Sequence, residues 1–94
     1  MDIGGWDVQL RSGGRSWRVV AKRCDTVALD VGLAPGEGVQ RISFGSSYRP
    51  VVAPGRSLEG IFNCSTEGCD PHVVLSWHTE DGARESRTIA LELV

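Results

Sequence analysis

Apolar and polar residues alternate with period two along most of the chain, the spacing at which neighbouring side chains of a strand point to opposite faces of a sheet. Trp6, Val8 and Leu10 alternate with Asp7, Gln9 and Arg11, and Trp17, Val19 and Ala21 alternate with Arg18, Val20 and Lys22. Ser12-Gly13-Gly14 stands between the two runs and predicts a hairpin, because glycine takes positive φ without steric cost. A third run puts Val27, Leu29, Val31 and Leu33 on one face, with Ala28, Asp30 and Gly32 on the other.

Ala34-Pro35-Gly36-Glu37-Gly38 reads as a loop, and Val39 to Phe44 as a strand with Ile42 and Phe44 inward. Gly45 to Pro50 breaks that strand. Val51 and Val52 form a short extended piece before the turn Ala53-Pro54-Gly55-Arg56. Ser57 to Phe62 is strand-like, with Gly60 marking an expected bulge. Asn63 to Pro71 is the longest irregular segment. Val73, Leu75 and Trp77 then alternate with His72, Val74, Ser76 and His78, and Asp81-Gly82 predicts the turn that returns the chain through Ile89, Leu91 and Leu93.

Nowhere do apolar residues recur at i, i+3, i+4 and i+7 over about ten residues, so no helix is expected. Strands at this spacing predict one all-β domain, with an ordered core over residues 6–93, built as an antiparallel β-sandwich of seven or eight strands. Its expected core is Trp6, Val8, Leu10, Trp17, Val19, Val27, Leu29, Val31, Ile42, Phe44, Leu58, Phe62, Val73, Leu75, Trp77, Ile89 and Leu91.

Composition agrees with that picture. The 94 residues allow a single domain, residues 1–94, and 12 glycines with four prolines suit short strands joined by tight turns. A net charge of −2 argues against binding nucleic acid or anionic lipid through bulk charge. No segment approaches the roughly 20 apolar residues of a membrane span, and the start of the chain lacks a basic region followed by an apolar one. The expectation is a cytoplasmic protein or part of a larger one, with no membrane partner. Three cysteines, an odd number, do not make a disulfide framework.

Short patterns add a resemblance. Trp17-Arg18-Val19-Val20, Val27-Ala28-Leu29-Asp30-Val31, Val52-Ala53-Pro54-Gly55-Arg56-Ser57-Leu58 and Val73-Val74-Leu75-Ser76-Trp77, in that order, resemble bacterial immunoglobulin-like β-sandwich modules. The antibody order Cys…Trp…Cys is not met, since Trp77 follows all three cysteines. The resemblance implies an immunoglobulin-like fold and non-catalytic work such as docking, spacing or binding, and it carries over no functional residue.

Candidate chemistry is sparse. Cys64, Cys69, His72 and His78 form a C-x4-C-x2-H-x5-H string. Zinc takes four N or S ligands, but two histidines six apart on one strand stand about 20 Å apart. A zinc-binding domain using Cys64, Cys69 and His72 is therefore the alternative reading, and no metal or other cofactor is assigned. Cys64 and Cys69 are alternatively free thiols or a disulfide pair, and Cys24 is expected to be a small half-buried hydrophobe. No nucleophile elbow, phosphate-binding loop or dinucleotide fingerprint occurs, so the chain is not expected to be an enzyme or to take a small-molecule substrate.

The first hairpin gathers Arg11, Arg15, Arg18, Lys22 and Arg23, of which Arg11, Arg18 and Lys22 are expected to face outward. They are the candidate contacts for an acidic ligand or nucleic acid, the weaker alternative, because no aromatic residues are interleaved on that face. Tyr48 and Arg49 are residue types favoured as interface anchors and mark a second candidate surface. The leading expectation is a protein-interaction or accessory module, with self-association through a strand edge as the simplest partnership.

Overall fold

A computed structural model describes residues 2–13, 16–36, 39–41, 48–64 and 71–91. Among these the chain is all-β, and no helix is long and apolar enough to cross a membrane. The strands are β1 (Asp2–Ile3), β2 (Trp6–Gly13), β3 (Ser16–Arg23), β4 (Ala28–Pro35), β5 (Val39–Arg41), β6 (Tyr48–Val52), β7 (Ser57–Cys64), β8 (His72–His78) and β9 (Arg84–Ala90). That is nine where seven or eight were expected. β1 is a two-residue addition created by the Gly4-Gly5 turn, whose glycines adopt φ of 56° and 84°.

The strands form two antiparallel sheets, one in the order β1-β2-β3-β7-β5 and one in the order β6-β4-β8-β9. Their facing sides bury one continuous cluster. Trp6, Val8, Trp17, Val19, Ala21, Leu58 and Phe62 come from the first sheet, and Ala28, Val31, Leu33, Val52, Val73, Leu75, Trp77 and Ile89 from the second. Each set keeps the two-residue period, which turns the alternation of the sequence into a closed apolar layer.

The period fails in one strand. Asp30 adopts φ of 47°, a left-handed conformation uncommon for a residue with a Cβ, and the register of β4 on β8 shifts between Leu29 and Gly32. This bulge places two residues against one and changes which parity faces inward. Ala28 is therefore buried before it, and Val31 and Leu33 after it. Val27 and Leu29, expected in the core, are only half-buried. Gly60, where a bulge was expected, sits in unbroken register opposite Val19 and is buried.

Other differences are smaller. Tyr48, Arg49 and Pro50, expected in a loop, belong to β6 and pair with β4. Leu10 packs only partly against the core, while Ala21, Ala28, Leu33, Val39 and Val52 are added to it. Ile42 and Phe44 lie outside the described residues. Cys24 is exposed rather than half-buried.

The turns follow local chemistry. In Ala53-Pro54-Gly55-Arg56, Arg56 N donates to Ala53 O at 3.0 Å and Gly55 has φ of 86°, a type II turn with proline and glycine at the positions that favour them. Gly36 is needed for a different reason. Its N–H donates to His72 O at 2.9 Å, and a Cβ there would collide with the His72 imidazole.

In the β8–β9 turn, the Thr79 hydroxyl donates to the Asp81 carboxylate, and Ala83 N donates to Thr79 Oγ1 at 3.1 Å. The Thr79 bond, with help from the Ala83 backbone, holds the Asp81 carboxyl below the ordinary carboxylate range. A depressed native pKa contributes stability above the unfolded value, lost as pH falls through the native one. Thr79→Val is expected to return the Asp81 carboxyl toward its ordinary value by carbon NMR, and to shrink that acid-side loss of stability. For the core, Phe62→Ala is expected to cost about 3–5 kcal/mol in denaturant unfolding, since Phe62 is fully buried opposite Trp17.

Candidate functional site

Arg11, Arg18 and Lys22 are exposed on the outer face of the five-stranded sheet, as their alternation requires. That face is not uniformly basic. Glu59 Oε2 accepts from Arg18 Nη2 at 2.6 Å and from Nε at 3.0 Å, and Asp7 lies directly across from Lys22. Arg11 and Arg18 are themselves cross-strand partners. Like charges in that position repel, and Glu59 offsets the repulsion.

Arg23, the remaining described member of the basic group, turns the other way and is 97% buried at the end of β3 (relative exposure 3%). Its guanidinium carbon lies 5.0 Å from the Trp6 ring centroid and 5.5 Å from that of Trp77. Nε donates to Thr26 O at 2.7 Å and Nη1 to Gly4 O at 3.3 Å. The sequence analysis missed this role because a charge next to Lys22 reads as surface. The signal lay in parity, since Arg23 shares the inward face of Trp17, Val19 and Ala21. Arg23 is a structural cation and offers nothing to a ligand.

On the outer face of the second sheet, the Tyr48 hydroxyl donates to Asp30 Oδ1 at 2.8 Å, and His78 Nδ1 stands 3.8 Å from Asp30 Oδ2. This group has a structural origin. The ladder between β4 and β6 skips Asp30 opposite Pro50, pairing Leu29 with Val51 and Val31 with Arg49. The Tyr48–Asp30 bond ties the strands together across the gap. Arg49 and Val51 remain exposed beside it.

Of the zinc alternative, Cys64, Cys69 and His72, only the His72 side chain is among those described. His72 and His78 stand at opposite ends of the unbroken strand β8. The Cys64 side chain and all of Cys69 lie outside the described residues. A shallow depression at the β8–β9 turn is lined by Thr26, Thr79, Glu80, Asp81, Ala83 and Glu85.

The strand edges differ sharply. In the first sheet the outermost strands are β1 with two residues and β5 with three. In the second, β6 is interrupted by Pro50, whereas β9 runs for seven residues from Arg84 to Ala90. Thr79 N donates to Ala83 O at 2.9 Å and Leu91 N to Pro71 O at 2.8 Å. These bonds flank β9 and place its odd-numbered residues in the set bonded to β8, because bonded and non-bonded pairs alternate in an antiparallel ladder. The N–H and C=O groups of Arg84, Ser86, Thr88 and Ala90 therefore point away from β8. The Ser86 carbonyl fits this assignment, since it accepts from Arg87 Nη1 at 2.7 Å. This edge was not among the candidate residues named from the sequence. Its signal was the last hairpin itself, a final strand free of proline and glycine.

No protein-family model matches the chain, and no curated protein matches it in sequence.

Two measurements test this surface. The Asp30 hydrogen bond, followed by partial desolvation and the Asp30 charge, holds the Tyr48 phenol above its ordinary pKa. Asp30→Asn is expected to bring it down, seen in an ultraviolet titration of the single tyrosine. Arg23→Lys is expected to cost on the order of 2–3 kcal/mol by urea unfolding, nearly as much as Arg23→Ala, because an ammonium cannot cover both indoles and reach both carbonyls. A Lys variant as stable as wild type would show that charge alone suffices.

Proposed function

We propose that the chain is an immunoglobulin-like β-sandwich serving as a non-catalytic interaction or accessory module, and that it engages its partner through the free edge of β9. The strand order supports the fold assignment. With β6 set aside, β2-β3-β7-β5 opposite β4-β8-β9 has the immunoglobulin order, in which the first, second, fifth and fourth strands face the third, sixth and seventh, while β6 departs from it by following β5 in the chain and pairing with β4. The resemblance of the Ala53-Pro54-Gly55 turn and the Val73–Trp77 strand to such modules points the same way.

The observation that carries the functional reading is the β9 edge. Four residues turn their backbone donors and acceptors outward over a run long enough to hold an added strand. Such an edge confers affinity through main-chain bonds and selectivity through alternate side chains. Several side chains grouped elsewhere are engaged within the fold, among them Arg23 with its tryptophans, Tyr48 with Asp30 and Arg18 with Glu59.

A photo-cross-linking residue at Ala90, exposed on β9, is expected to form protein adducts in cells, while one at Gln9 on the opposite face does not. Thr88→Pro is expected to abolish the adducts with little change in melting temperature, because the Thr88 N–H points away from β8 and proline removes no bond of the ladder. Equal labelling from Gln9, or adducts that survive Thr88→Pro, would overturn the edge as the interaction surface.

A further inference from the structure

The geometry points to a second copy of this chain as the occupant of the β9 edge, joined antiparallel about a two-fold axis through Ser86. This inference rests on the edge reading above and adds partner and register to it.

Three two-fold registers pair most of β9 with its outward backbone groups face to face. Centring on Arg87 places the two guanidinium groups directly opposite one another and sets Glu85 against the buried Ile89 of the other copy. Centring on Thr88 sets Arg87 against Ile89 and leaves Arg84 beyond the paired strand. Centring on Ser86 is different. Glu85 of each copy then stands opposite Arg87 of the other, giving two unlike pairs, and Arg84 stands opposite Thr88. Unlike charges across an antiparallel pair stabilise it, and like charges destabilise it. Charge pairing, not the number of backbone bonds, selects this register; in it Ser86 and its symmetry mate exchange both of their outward bonds.

The monomer already shows the groups this requires. Arg87 Nη1 lies 3.4 Å from Glu85 Oε2 and donates to Ser86 O at 2.7 Å. The guanidinium carbon also rests 5.7 Å from the Trp77 ring centroid, so the side chain is held beside the edge. Arg87 thus caps in the single chain the carbonyl that the other copy's Ser86 N–H would take. On pairing, the guanidinium gives up that carbonyl and gains the carboxylate of the other copy's Glu85. On the outer face of the junction the small Ser86 side chains meet at the axis, flanked by Arg84 of each copy opposite Thr88 of the other.

Sedimentation equilibrium up to about 1 mM, with disulfide trapping, tests the proposal. The wild-type chain is expected to dimerise reversibly. Glu85→Arg and Arg87→Glu, each of which sets like charges opposite one another twice, are expected to weaken the dimer on the order of tenfold or more. The double exchange is expected to restore it. Ser86→Cys is expected to form a 86–86 disulfide between copies, found by peptide mapping, because directly paired residues lie within disulfide reach. Thr88→Cys is expected not to, since residue 88 faces residue 84. A monomer at the highest concentration, or Thr88→Cys linking as readily as Ser86→Cys, would overturn the proposal. If the chain stays monomeric while Ala90 cross-links a different protein in cells, the second copy is excluded and the edge reading stands. Loss of both signals removes the edge reading as well.

Discussion

A guanidinium that cannot lose its proton sits buried against two indole rings that also touch each other, and connections from three turns converge on its residue. Arg23 has no carboxylate within ion-pair distance among the described residues. Its charge is balanced by the faces of Trp6 and Trp77 and by the carbonyls of Gly4 and Thr26. A desolvated cation–π contact contributes about 2 kcal/mol or more, and hydrogen bonds to a charged group add to it. Trp6 and Trp77 belong to different sheets and meet edge to face, with centroids 5.7 Å apart. Arg23 therefore fastens the sheets at one end of the sandwich. Its backbone does the same for the turns, as Arg23 N donates to Arg56 O and Gly55 N donates to Arg23 O, each at 2.8 Å. One residue thus fixes the β1–β2 turn, the β3–β4 loop and the β6–β7 turn together.

The second constraint is the bulge in β4. One extra residue in a strand reverses the faces of everything beyond it, unless the chain returns to register through an unusual conformation. Asp30 supplies that conformation. Its carboxylate, turned outward by the same backbone angle, receives the Tyr48 hydroxyl and holds β6 where Pro50 interrupts the ladder. Strain at Asp30 and the gap in the ladder opposite Pro50 are thus compensated by a single side-chain bond.

Much of this was legible in the sequence where local pattern and long-range packing agree. The two end hairpins, the Ala53-Pro54-Gly55-Arg56 turn, the inward faces of β2, β3 and β8 and the outward Arg11, Arg18 and Lys22 all follow from period two. The failures share one cause. Val27 and Leu29 continue a perfect alternation, and only the left-handed φ of Asp30 moves Ala28 into the core in their place. Nothing local distinguishes Asp30 from any other outward carboxylate. Arg23 is the converse, since its parity was inward but its charge suggested the surface. Tyr48, Arg49 and Pro50 carry turn-forming neighbours, so pairing with β4 became visible only in three dimensions. The β9 edge was hidden for another reason. Which strand is outermost depends on topology, and alternation along a strand carries no information about what lies beside it.

A two-layer fold has four edges to manage, and this chain treats them unequally. Among the described residues, β1 spans two residues at one edge and β6 carries a proline at another. Each device is a known way of discouraging strand addition. On β9 the protection is of a different kind. Proline removes a donor permanently, whereas the Arg87 guanidinium covers the Ser86 carbonyl with a hydrogen bond that water or another strand can replace. Charged side chains at 84, 85 and 87 also discriminate. They oppose registers that align like charges and favour the one that alternates them, which separates specific pairing from indiscriminate aggregation. The same three charges that keep the edge soluble therefore also select what can join it. On the proposed reading, growth about a two-fold axis through the β9 edge ends with the second copy.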